Sequence, residues 1–78
     1  MSNLNDNIKL MQTAFDKLKK QAHSSISINY DKSLIIAYCH SKDNAMMMVI
    51  EAFDYSDNIH ITKERIIARD EYKIEIKF

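Results

Sequence analysis

Few residues in this chain could do chemistry. Cys39 and His40 are adjacent, and His23 and His60 are the other histidines. A thiol beside an imidazole is the raw material of a nucleophile–base pair, and a thiol with three imidazoles that of a metal site. Both chemistries need the groups to converge. Leu34 to His40 is apolar on both faces and reads as a central strand, and adjacent strand residues point to opposite faces. Cys39 and His40 are therefore not expected to share a proton or a metal. A structural zinc site also favours close ligand pairs such as C-x₂-C, and this chain has one cysteine. The neighbouring carboxylates, Asp54 with Asp57 and Asp70 with Glu71, fall in expected turns. An acid–base pair needs two carboxyls in a pocket with separated pKa values, and turns do not supply that.

Neither glycine nor proline occurs anywhere in the 78 residues. Phosphate-cradling loops and dinucleotide fingerprints require glycine at fixed positions, so both are excluded. No catalytic residue, cofactor or metal is expected, and the chain reads as a non-enzyme. A small enzyme subunit remains an alternative.

For nucleic acid, the candidates are Lys9, Lys17, Lys19 and Lys20 with the aromatics Tyr30, Tyr38, Tyr55 and Tyr72. A base-stacking sheet needs exposed aromatics flanked by basic residues. Here the formal net charge is zero and arginine occurs twice, so overall charge adds nothing to phosphate affinity. A nucleic-acid-binding module is the second alternative.

The distribution of charge is more informative than its sum. Residues 1–42 carry six lysines against three aspartates, a net of +3, and residues 43–78 carry five basic and eight acidic residues, a net of −3. The stretch 43–57 holds Asp43, Glu51, Asp54 and Asp57 and no basic residue. Such a surface raises the association rate with a basic partner. Seventy-eight residues suit one domain, 1–78, with a small core that oligomerisation would supplement. A lone cysteine fits a reducing, cytoplasmic setting. The start lacks the basic and apolar regions of a signal peptide, and the longest apolar run, residues 45–50, is too short to cross a membrane. The richness in isoleucine, lysine and asparagine points to AT-rich coding, as in a low-GC bacterium, phage or plasmid.

The elements that must position these residues follow from periodicity. Leu4, Ile8, Met11, Phe15, Leu18 and Ala22 recur every three or four residues, the stripe of an amphipathic helix. Ser2 or Asn3 can cap its start, and Lys17, Lys19 and Lys20 sit near its C-terminal end, where cations oppose the helix dipole. From Ser25 the period becomes two: Ile26, Ile28 and Tyr30 form one face of a strand. Asp31-Lys32-Ser33 turns the chain into Leu34–His40. Residues 45–53 read in two ways. As a strand they place Met46, Met48 and Ile50 on one face and Met47, Val49 and Phe53 on the other. As a helix capped by Asp43 they group Met46, Val49, Ile50 and Phe53. The strand reading is preferred. Ile59 to Thr62 alternates, residues 63–65 interrupt it as a bulge or extra turn would, and Ile66-Ile67-Ala68 resumes out of phase. Asp70-Glu71 leads to a last strand with Tyr72, Ile74, Ile76 and Phe78 on one face. The expected fold is α+β: one N-terminal amphipathic helix packed on an antiparallel β-meander of about five strands, with α-β-β-α-β-β as the alternative.

In the five-strand reading a single helix covers one sheet face and leaves the other apolar. Soluble monomers rarely expose such a patch, and methionine is common at adaptable binding surfaces. The expected partner-binding residues are therefore Ile35, Met47, Val49 and Phe53 on the uncovered face, with Glu51, Asp54 and Asp57 as an acidic border. The expected partner is a protein or a second copy, a homodimer, with nucleic acid disfavoured and no membrane. The function that fits is a small non-enzymatic protein–protein interaction module binding through an apolar sheet face, such as an inhibitor or immunity-type protein of a phage or mobile element.

Overall fold

The computed structural model describes residues 3–21, 25–67 and 69–78, with the side chains of residues 3–5, 66 and 69 excepted. The expected cap at Ser2, the stripe positions Leu4 and Ala22, and His23 and Ala68 fall outside that description. The element order is α1 (Asn3–Gln21), β1 (Ser25–Asn29), β2 (Leu34–Cys39), α2 (Lys42–Ala52), β3 (Asn58–Ile66) and β4 (Arg69–Lys77). The class is α+β with an N-terminal helix, and the order is α-β-β-α-β-β. There are four strands rather than five, all antiparallel, in the spatial order β1-β2-β4-β3. The sheet is two hairpins joined through α2, with β4 inserted beside β2, and so is not a simple meander.

The missing fifth strand is α2. Ser41 caps it: the Asn44 amide donates to Ser41 Oγ at 3.4 Å and the Ala45 amide to the Ser41 carbonyl at 3.0 Å. Asp43, expected as the cap, sits instead in the first turn, where its charge suits the positive helix end. Alanine and methionine favour helix intrinsically, and packing adds a stronger reason. A strand at 45–53 would widen the sheet without covering its apolar face. A helix turns Ala45, Met48 and Ala52 onto that face, and all three are fully buried.

Both helices lie on one side of the sheet, α1 on β1 and α2 on β2 and β4. The covered face is built in register: Ile28, Ile35 and Ile76 stand level on β1, β2 and β4, Ile26, Ala37 and Ile74 form the next row, and Cys39 pairs with Tyr72. Met11, Ala14 and Leu18 close the core from α1. Ala14 lay outside the expected stripe; its small side chain permits close approach without announcing itself in a hydrophobic pattern.

The strand expected to break at residues 63–65 does not. β3 pairs with β4 without a slip from Asn58↔Lys77 to Ile66↔Arg69. The interruption was charge, not geometry, since Lys63, Glu64 and Arg65 alternate faces of one continuous exposed strand. Asp70 belongs to β4 and is not a turn residue. The connection between β3 and β4 is two residues long and holds Ile67 at φ 59°.

Without glycine, backbone strain falls on other residues. Ser33, at φ 51°, closes the β1–β2 turn, where its amide donates to the Tyr30 carbonyl and the Lys32 amide to Asn29 Oδ1. Ile67 is the costlier case, because a β-branched residue at positive φ is a true outlier.

Candidate functional site

The residues expected to line a sheet-face interface do not share a surface. Ile35 is fully buried beneath the helices with Ala37 and Cys39. This corrects the reading of an open apolar face carrying Ile35: the face exists, but two helices cover it. The sheet's other side is mixed, with Leu34, Ile36 and Tyr38 half-buried between Ser25, Ser27 and Asn29 of β1 and Lys73, Glu75 and Lys77 of β4.

The exposed apolar surface lies instead on α2. Met46, Met47, Ile50 and Phe53 are 47%, 60%, 65% and 52% exposed. Positions 46, 50 and 53 follow helical spacing, so α2 carries two apolar stripes, one buried at 45, 48 and 52 and one facing out. A surface helix of a monomer ordinarily has one. With large side chains of roughly 200 Å² each, these four leave about 450 Å² of apolar side chain in solvent, within the 300–600 Å² of the largest patches on monomers, which are often functional. Val49 and Glu51 are half-buried, and Asp54 and Asp57 are exposed at the C-terminal end of the stripe. Of the seven expected partner residues, six thus lie on or beside α2, and Ile35 is separated from them.

One flank of this helix faces α1. Gln21 Nε2 donates to Glu51 Oε1 at 3.4 Å, and Lys20, Gln21, Asn44 and Met47 line a cleft of ≈ 200 Å³ there, below the ~300 Å³ usual for a ligand site. The opposite flank, with Met46, Val49 and Phe53, faces the side of the sheet where β3 lies. The helices rest on β1, β2 and β4, so the helix-side face of β3 runs past their cover. Ile59 there is half-buried and Ile61 is 44% exposed, followed by exposed Lys63 and Arg65. Met46 and Phe53 on this flank and Ile61 on β3 thus stand exposed on either side of the step from α2 down to the sheet edge, a notch on the helix side.

The groups with catalytic potential do not assemble. Cys39 is fully buried on the helix side, and burial pushes its thiol above the ordinary value of 9.0. His40 turns to the other side, its Nδ1 3.4 Å from Glu71 Oε2. Among the described residues no group of three His, Cys, Asp or Glu side chains is placed to hold a metal ion. The tyrosines are dispersed too. Tyr55 and Tyr72 pack against the core and Tyr38 belongs to the open face, while Lys9, Lys17, Lys19 and Lys20 are exposed on α1, where the Lys19 ammonium sits 5.9 Å from the Phe15 ring centroid. No described helix is long and apolar enough to cross a membrane. Comparison of the chain with protein-family models, with curated proteins and with solved structures gives no match.

Proposed function

We propose that this chain is a non-enzymatic protein–protein interaction module whose binding surface is the outward stripe of α2 together with the notch beside it. The observation that carries the reading is the second apolar stripe, Met46, Ile50 and Phe53 with Met47, held in solvent by a helix whose other stripe already completes the core. Burying about 450 Å² of apolar surface is worth about 11 kcal/mol at 25 cal/mol/Å² before association costs. Leaving it exposed gains the fold nothing. Asp54 and Asp57 mark one end of the stripe with negative charge, with Glu51 on the flank beside α1, and select a surface carrying basic residues at the matching position.

The test uses matched baits, the natural chain and a Met46→Asp/Ile50→Asp variant, each offered host-cell proteins and a tagged second copy of itself. Both substituted side chains are exposed, so the variant keeps its circular dichroism spectrum and, at concentrations where the natural chain does not self-associate, its melting temperature. A partner retained by the natural chain and lost by the folded variant supports the reading. Equal retention of every partner by both would refute it.

A further inference from the structure

We infer that the occupant of this surface is a second copy of the chain, docked by antiparallel pairing of the two β3 edges about a two-fold axis perpendicular to the sheet. This rests on the α2 interface proposed above and specifies who covers it.

Three separate features need the same kind of cover. The first is β3 itself, a nine-residue strand at the sheet edge with no glycine or proline to interrupt it. A long open edge is a template for another strand. The second is the helix-side face of β3, which is only partly covered: Ile59 packs against the core, while Ile61 is 44% exposed. The third is the apolar stripe of α2. A two-fold axis perpendicular to the sheet keeps both helix layers on one side. It joins two four-stranded sheets into one of eight and sets the two α2 helices antiparallel across the notch, over Ile59 and Ile61 of both copies. In this arrangement the part of the stripe that meets the second copy is the flank with Met46 and Phe53, since Met47 lines the cleft beside α1, and that flank alone falls well short of the roughly 800 Å² per partner of a standard interface. A strand edge about 30 Å long and Ile61 bring the surface to that scale.

Overlap and charge together select the register. Centring the axis on Thr62 pairs all nine residues of β3. His60 then faces the second copy's Glu64, Ile61 faces its Lys63, and Ile59 faces its Arg65. No like charges stand directly opposite each other. Centring on Lys63 or Glu64 would set that charge against itself. Charged residues ordinarily guard an edge strand; in this register each has a compatible neighbour. The same register accounts for two further features. The end of the β3–β4 hairpin, from Glu64↔Glu71 to Ile66↔Arg69, overhangs β2, whose last pair with β4 is Cys39↔Tyr72. In the dimer this arm pairs with the start of the second copy's β3. Ile67 at its tip, 96% exposed, comes level with the second copy's Asp57. Arg65 comes beside the acidic turn that holds Asp54 and Asp57.

The test is sedimentation of the full chain from about 5 to 200 μM, with cysteine cross-linking. The chain is 9.2 kDa, so a species of twice that mass is expected. Cys39 is buried and does not compete for oxidant. Thr62→Cys sits on the axis, within disulfide reach of its mate, and is expected to cross-link under oxidised glutathione in most chains. Ile67→Cys lies about 30 Å from its own mate and is expected not to. Thr62→Pro is expected to weaken the dimer at least about tenfold by blocking edge pairing, with the circular dichroism spectrum kept. A dimer that ignores Thr62→Cys and Thr62→Pro but dissociates with Met46→Asp/Ile50→Asp overturns the strand-edge docking and leaves the α2 interface standing. A monomer at every concentration overturns the second copy as occupant, and the bait experiment then decides the α2 reading by itself.

Discussion

Met47 and Met48 are neighbours in sequence and opposites in environment, and truncating each to alanine tests the register of α2. Met48 is fully buried against the sheet, whereas Met47 is 60% exposed. Removing a buried methionine side chain leaves a cavity and costs about 2–5 kcal/mol. A 78-residue domain holds about 4–12 kcal/mol in total at 0.05–0.15 kcal/mol per residue, so Met48→Ala removes at least about a sixth of the stability and, at mid-range values, nearly half. At roughly 4–8 °C per kcal/mol the melting temperature falls by at least about 8 °C. Met47→Ala stays within about 0.5 kcal/mol of the natural chain, since alanine is at least as good a helix former and little packing is lost. The assay is urea unfolding followed by far-ultraviolet circular dichroism, at one protein concentration below that at which the chain self-associates, because association adds stability by mass action. A cost above about 1.5 kcal/mol for Met47→Ala under that condition, or a smaller cost for Met48→Ala than for Met47→Ala, refutes the packing described and returns residues 45–53 to a different register.

Ile67→Asn is expected to stabilise the monomer by about 1 kcal/mol, because asparagine tolerates the left-handed conformation that costs a β-branched residue about 1–2 kcal/mol; the check is a melting temperature raised by roughly 4–8 °C. Cys39 is expected to resist alkylation in the folded chain and to react at once in denaturant, as read by a thiol-reactive chromophore. Because burial raises the folded pKa of this thiol above 9.0, the unfolded chain gives up its proton first. Its contribution to stability is therefore complete below pH 9 and is lost as the pH climbs from there towards the folded value, and a Cys39→Ala variant lacks that alkaline decline.

The parts of the fold legible in sequence were those with one strong period. The α1 stripe through Met11, Phe15 and Leu18, the alternation of Ile26 and Ile28, and that of Tyr72, Ile74 and Ile76 each point to one element and one face. Residues 45–53 carried no such signal, because a helix apolar on two sides has no preferred face. Its cap, Ser41, lay in a run of polar residues that equally suits a loop. The β3–β4 hairpin failed for a related reason. Ile66 and Ile67 looked like a resumed strand, yet Ile67 sits at the turn. Glycine or asparagine would have marked that position, and this chain contains no glycine. The candidate surface was half legible: methionine and phenylalanine in an acidic segment singled out α2, while Ile35 was misplaced because one helix too few was counted for covering the sheet.

The absence of glycine and proline first excludes phosphate loops, and the structure gives it a second consequence. Proline on an edge strand and glycine at a bulge are the common devices by which a sheet edge is blunted. β3 has neither, and its nine residues pair with β4 without a break. Among the described residues, positive φ falls on Ser33 and Ile67, and the second places an isoleucine where solubility alone would favour a polar residue. An uninterrupted edge, an unroofed Ile61, a second stripe on α2 and an exposed Ile67 each leave a chain of this size with less margin as a monomer. All four lie along one side of the molecule, the side that runs from the outer flank of α2 across β3 to the hairpin tip. Of the eight exposed large hydrophobics among the described residues, Leu10 and Tyr30 lie elsewhere, and the other six lie on α2, β3 and the hairpin tip. Their concentration on one edge is the physical ground for reading this protein through what it contacts.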